Sequence, residues 1–231
     1  MFREYRYAFG EVCPSMEVLK RYLQTPDKEG YALVEDTIRK TFQVLEDTPE
    51  IVGGYRIVEC REIDNREGNI LCPEGILHTG RRISSYMNGA SQLALFICTA
   101  GERFTQLSHA YQQNGDFLEA FVVDSIGSAT VENAMEHIQH SLAGEMEAAG
   151  HKVTNRYSPG YCDWPLAEQQ VLFASIGNHS TGITLNSSCL MQPVKSVSGI
   201  IGIGMNVRKR PYGCSICSSK TCVYRRIITG E

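Results

Sequence analysis

Long apolar runs are missing from this 231-residue chain. No stretch reaches the ~18 consecutive apolar residues of a membrane-spanning helix, so no membrane partner is expected. An excess of basic residues is missing too. Lys and Arg number 22 against 26 Asp and Glu, for a net charge of −4. That balance argues against nucleic acid, because gripping a phosphate backbone takes a clustered basic surface. The short runs Arg208-Lys209-Arg210 and Arg225-Arg226 read as solvated faces. Residues 1–12 (MFREYRYAFGEV) carry charges where a secretory signal has an apolar run, and the expected location is the cytoplasm. Several chemical signatures are absent as well: no G-x-S-x-G, no Walker-type loop and no G-x-G-x-x-G after a strand. The six histidines are scattered and form no H-x-x-x-H. Nine cysteines, an odd number in a chain without a leader signal, suggest reduced thiols with room for one metal cluster.

Apolar spacing organises what is present. Residues 15–25 and 29–47 follow helical periodicity, with Leu33, Ile38, Phe42 and Leu45 on one face and Thr48-Pro49 ending the run. Gly53-Gly54 opens a strand over 55–60. The polar stretch 61–69, with Asp64-Asn65 and Gly68-Asn69, predicts a loop or hairpin. The continuous apolar run 93–98 (LALFIC) predicts a buried central strand. Residues 102–112 and 116–149 predict helices, the second bent or broken at Gly127 or Gly144. A short helix follows Pro165 over 168–176. Residues 197–203 (VSGIIGI) predict a strand whose glycines admit another backbone. Strands and helices mix without strict alternation. The expected fold is α/β or α+β, one domain over 1–231 with a central twisted mixed or antiparallel sheet flanked by helices. A helical part (1–50) begins it and a cysteine-rich tail (208–231) ends it.

The densest chemistry lies in Asn155-Arg156-Tyr157-Ser158-Pro159-Gly160-Tyr161. Pro159 fixes φ and removes a backbone donor, while Gly160 permits positive φ, so a turn is expected there. Such a turn lets main-chain groups approach a ligand. Arg156 supplies a two-pronged grip for a carboxylate, and Tyr161 can cover what lies beyond. With no glycine-rich phosphate loop nearby, a zwitterionic small molecule suits these groups better than a phosphate.

A second segment follows, Ser188-Cys189-Leu190-Met191-Gln192-Pro193-Val194-Lys195-Ser196-Val197-Ser198-Gly199. R-x-x-P-G-Y followed by S-x-x-M-x-P-x-x-S-V-S-G resembles the activation domain of cobalamin-dependent methionine synthase. Free-standing relatives of that domain are closer still, through 95–101 (LFICTAG), 124–132 (DSIGSATVE) and 161–169 (YCDWPLAEQ). The resemblance covers roughly residues 75 to 212.

What the resemblance implies is specific. The family binds S-adenosylmethionine at the R-x-x-P-G-Y turn and delivers its methyl to cobalamin that has been oxidised to Co(II) and re-reduced. Electrons come from a reductase or flavodoxin, and methylation pulls the uphill reduction forward. By the same resemblance Arg156 holds the ligand carboxylate, and Ser158 and Gly160 meet the ligand through their backbone. Tyr161, the residue assigned to catalysis, reaches toward the corrin. Glu132 aligns with a family acid and pairs with the ligand's ammonium or sulfonium, or is a solvated helix residue. The family's second acid, one turn earlier, is replaced here by Ser128. Tyr212 matches a tyrosine that contacts the adenosyl group, or packs under the cysteine tail. Trp164 covers the purine, or belongs to core or rim. Met191 and Pro193 shape the loop, and Ser196 and Ser198 satisfy local backbone groups.

The tail Cys214, Cys217, Cys222 has C-x2-C-x4-C spacing. These thiols are a candidate zinc or iron–sulfur site, with Cys162, Cys189 or a histidine as fourth ligand, or they are simply free. The chain is too short to hold folate, homocysteine and cobalamin modules, and it lacks D-x-H-x-x-G. Cobalamin is therefore expected only through a partner. The implied role is a reactivation subunit for a separate cobalamin-bearing methionine synthase, a methyltransferase component in methionine biosynthesis rather than a complete enzyme. The alternative is a metal- or electron-carrying module for another corrinoid methyltransferase.

Overall fold

The computed structural model describes residues 1–23 and 28–210. In chain order its elements are β1 (Phe2–Tyr7), α1 (Phe9–Val12), α2 (Met16–Leu23), α3 (Lys28–Leu45), β2 (Ile51–Glu59), β3 (Glu62–Asp64), β4 (Asn69–Cys72) and β5 (Gly75–His78). They continue with α4 (Gly80–Tyr86), β6 (Gln92–Thr99), α5 (Arg103–Asn114), α6 (Phe117–Ala148) and β7 (Lys152–Tyr157). A 3-10 turn at Leu166–Glu168 leads into α7 (Gln169–Ile176), then β8 (Thr184–Leu185), β9 (Met191–Gln192) and β10 (Ser196–Gly204).

The main sheet has five strands in the order β1-β2-β6-β10-β7, and every pairing is antiparallel. This is the α+β form of the expected class. β6 lies at its centre, with Ile97 opposite Gly54 on one side and Ser198 on the other. Both faces of the sheet are covered, which explains the continuous apolar run. Ala94, Phe96 and Cys98 point into one core, with residues of α1, α2, α3, α5 and α6. Leu93, Leu95 and Ile97 point into the other, with residues of β4, β5, α4 and α7. Full burial of a side chain such as Phe96 stabilises by about 1.5–3 kcal/mol. No helix among the described residues is long and apolar enough to cross a membrane.

Two elements differ from the sequence expectation. Residues 2–7 form edge strand β1, within a stretch read as helical. Tyr5 and Tyr7 pack against the α6-side core while alternate positions carry Glu4 and Arg6, a period of two. Of the bend or break expected in the long helix, the break is absent: α6 runs through both Gly127 and Gly144. Gly127 serves packing instead, because a Cβ there would lie 2.8 Å from Phe104 Cβ on α5. α6 ends in a Schellman arrangement, with Gly150 at φ 76° and the His151 amide donating to Met146 O. The strand near 55–60 begins earlier, at Ile51, so Gly53 and Gly54 lie inside it. The expected close approach in β10 is present: a Cβ on Gly199 would lie 2.1 Å from Tyr157 O.

Candidate functional site

β7 is an edge strand, and a β-bulge decides which way its arginine points. β10 pairs Ile203 with Val153 and Ile201 with Arg156, so Thr154 and Asn155 together oppose Gly202. Cross-strand partners share a face, and Ile201 belongs to the α6-side core. The extra residue thus turns Arg156 toward α6. The Thr154 hydroxyl accepts the Gly202 amide at 2.8 Å, and Gln139 of α6 donates to Thr154 O at 3.1 Å.

Arg156 is only 13 % exposed. Its Nη2 lies 3.2 Å from Glu132 and 3.3 Å from Glu136, carboxylates one helical turn apart on α6. Its Nη1 is buried and has no hydrogen-bond partner in the described structure. A buried N–H without an acceptor is costly, so this nitrogen is a donor left unused in the described structure. Cys98 lies beneath the group, where burial, and next the Glu132 charge, push its thiol up to about 12.

The turn after β7 has the expected form. Gly160 adopts φ 91°, its amide donates to Trp164 O at 2.8 Å, and Tyr161 N–H donates to Ser158 O at 3.3 Å. The Tyr161 side chain is exposed at the rim, and Cys162 follows with φ 56°. Trp164 does not cover a ligand. It is buried in the second core, under the sheet face opposite α6. Its ring completes that core beneath the turn, an apolar role that outweighs the unpartnered indole nitrogen. Tyr212, Cys214, Cys217 and Cys222 lie outside the described residues. Among the described residues no group of three or more His, Cys, Asp or Glu could hold a metal ion.

The second motif reaches the same helix. β8 and β9 form a hairpin, and the Gln192–Pro193 bond is cis. Lys195 then crosses to α6, its Nζ 2.7 Å from Asp124 and donating to Ser128 Oγ at 2.9 Å. Ser196 Oγ donates to Pro193 O at 2.7 Å, the local backbone role expected of it, whereas Ser198 Oγ donates to the Gln169 side chain at 2.9 Å. Asp124, Ser128, Glu132 and Glu136 therefore form one stripe of α6 with a spacing of four. Lys195 spans its first pair and Arg156 its second. Glu136 and Lys195 were missed in the sequence. Helical spacing from Glu132 was the available signal for Glu136, but the second acid was sought one turn earlier, at Ser128.

The fold is similar to a crystal structure of the MetH reactivation domain bound to AdoHcy, with a TM-score of 0.68 and 14 % identity, covering 90 % of this chain and 80 % of that one. The family model described as vitamin B12 dependent methionine synthase, activation domain, matches residues 83–215, more than half of the chain. The chain belongs to that family. No curated protein matches it.

Proposed function

We propose that this protein binds S-adenosylmethionine at Arg156 and reactivates the cobalamin of a separate methionine synthase by reductive methylation. The observation that carries the reading is the buried, unpartnered Nη1 of Arg156, on a guanidinium whose Nη2 is held by the acids of α6 two residues before the turn at 158–161. A guanidinium fixed in this way donates to a carboxylate with little reordering. AdoHcy, bound by the similar reactivation domain, is S-adenosylmethionine without its transferable methyl, and both share the amino-acid end that Arg156 would hold.

The chain's own residues supply binding and orientation. Arg156 takes the carboxylate, and Ser158 and Gly160 offer main-chain groups at the turn. Glu132 places negative charge near the ammonium or sulfonium. Exposed Tyr161 stands at the rim, where it would face the corrin of the docked partner. Tyr212 would contact the adenosyl group. The reduced cobalamin of the partner is the methyl acceptor, and a reductase or flavodoxin supplies its electron. Held at the turn, the sulfonium gains from proximity to the acceptor, the main contribution a protein makes to such a transfer. A cytoplasmic location fits these partners.

The test mixes the protein with Co(II) methionine synthase lacking an activation module, a reductant and methyl-labelled S-adenosylmethionine. Label is expected on cobalamin only when the protein is present. No label above the protein-free control overturns the role. A second reading rests on the C-x2-C-x4-C run. In it, Cys214, Cys217 and Cys222, with Cys162, hold zinc or an iron–sulfur cluster, and the protein serves another corrinoid protein as an electron carrier. A brown, iron-containing preparation purified without oxygen would favour that reading, and a colourless, metal-free one removes it.

A further inference from the structure

A regular ladder would point Arg156 the other way. From Lys152 opposite Gly204 and Val153 opposite Ile203, unbroken pairing sets Thr154 against Gly202, Asn155 against Ile201 and Arg156 against Ile200. Ile200 belongs to the second core, on the sheet face away from α6. In the observed register Tyr157 takes that place. Arg156 lies opposite Ile201 on the α6 face, with Nη2 3.2 Å from Glu132. A slip of one residue exchanges the two faces of a strand. The extra residue of β7 therefore decides whether the guanidinium reaches α6 or is driven toward an apolar core.

Side chains hold that extra residue in place. The Gly202 amide donates to Thr154 Oγ1 at 2.8 Å, and the same hydroxyl donates to Asn155 O at 2.8 Å. From α6, Gln139 Nε2 donates to Thr154 O at 3.1 Å. Thr154 is fully buried and Gln139 only 4 % exposed, so water does not stand in for these bonds. Gly202 leaves room for the threonine, because a Cβ there would lie 3.1 Å from Thr154 Cγ2. We infer that Thr154, braced by Gln139, is the positioning residue of the site, its hydroxyl fixing the bulge that presents Arg156 to α6. Its effect on ligand affinity passes through Arg156. This inference rests on the binding of S-adenosylmethionine at Arg156 proposed above.

The test is calorimetric binding of S-adenosylhomocysteine to the full chain. Thr154→Val keeps the side-chain shape and removes the acceptor. It is expected to weaken binding by about ten-fold or more, the scale of one charge-assisted hydrogen bond lost from Arg156. Thr154→Ser keeps the hydroxyl and should bind within about two-fold of wild type. In an Arg156→Ala background, Thr154→Val should cost less than about two-fold further, because no guanidinium is left to position. Thermal midpoints give the folding control. Where Thr154→Val does not fold, Gln139→Met takes its place, with the same expected loss and the same dependence on Arg156. Three results would each overturn the inference: Thr154→Val, or its stand-in, binding like wild type; Thr154→Ser losing as much as Thr154→Val; or an undiminished loss in the Arg156→Ala background. All three leave the proposed function standing. Wild type binding neither S-adenosylhomocysteine nor S-adenosylmethionine defeats the proposed function, and the inference with it.

Discussion

Asn155 and Arg210, 55 residues apart, are joined by a reciprocal pair of hydrogen bonds. The Arg210 amide donates to Asn155 Oδ1 at 3.0 Å, and Asn155 Nδ2 donates to Arg210 O at 2.8 Å. The carboxamide thus imitates a neighbouring strand, from the bulge that turns Arg156 inward. The Arg210 guanidinium lies 5.2 Å over the Tyr86 ring, which in turn meets Tyr157 at 5.4 Å. The chain beyond β10 is therefore fastened one residue from the proposed ligand arginine.

Asn155→Ala removes both bonds and leaves two backbone groups of Arg210 without their partners. A loss of about 1–3 kcal/mol is expected where water cannot reach them. Hydrogen exchange at the Arg210 amide should accelerate, and the urea midpoint should fall with little change in slope. Asn155→Asp keeps the acceptor but not the donor and should fall between the two. An unaltered Arg210 exchange rate would show that the clamp contributes nothing.

Lys195 and Asp124 form an ion pair whose ends differ in solvent exposure. The lysine side chain is 10 % exposed and the aspartate 53 %. Removing the lysine leaves a carboxylate that water can solvate, whereas removing the aspartate strands an almost buried ammonium with only Ser128 to accept from it. Asp124→Ala should therefore cost more, about 2–4 kcal/mol, than Lys195→Met, about 1 kcal/mol. Equilibrium unfolding of both variants measures the difference. The reverse order would mean that the lysine stem, and not its charge, fastens the 193–195 segment to α6.

What could be read from the sequence divides along the reach of each signal. The central strand and the turn at 158–161 were legible because their signals are local: six apolar residues in a row, and a proline followed by a glycine. β1 was not, because an edge strand whose alternate residues are charged offers little hydrophobic contrast. The bend or break expected in α6 weighed the helix cost of Gly127 without sight of Phe104, the neighbour that requires a glycine there. At the site, Arg156 and Glu132 were legible through motifs. The bulge that aims Arg156 depends on the register with β10. The contact of Lys195 with Ser128 spans 67 residues of chain. Neither leaves a local pattern.

Cys98 predicts an alkaline weakness. Burial raises its folded-state value from 9.0 to about 12. A group that ionises more easily unfolded than folded contributes stability below its unfolded value and loses it as pH climbs toward the folded one. Stability from this thiol should thus be full below pH 9 and decline between about 9 and 12, by about 1.4 kcal/mol per pH unit. Cys98→Ala should flatten that part of the curve in urea titrations at stepped pH, despite lower stability near neutrality from the lost sulfur. A parallel decline in both proteins would place the sensitivity elsewhere.

Arg156 gives the most direct test of the site. Arg156→Ala should weaken S-adenosylmethionine binding by about ten- to a hundred-fold, the range of a charge-assisted hydrogen bond of about 1.5–3 kcal/mol. Arg156→Lys should recover little of this. A lysine ammonium can pair with Glu132, but it has no second arm to present a buried donor while that pairing is kept. Both variants should remain folded, because the residue sits on edge strand β7 and its charge partners stay partly solvated. Calorimetric titration, with thermal midpoints as the folding control, separates these outcomes. If Arg156→Lys binds as well as wild type, a point charge suffices and the two-armed geometry is irrelevant. If Arg156→Ala binds as well, the ligand lies elsewhere and the buried Nη1 needs another explanation.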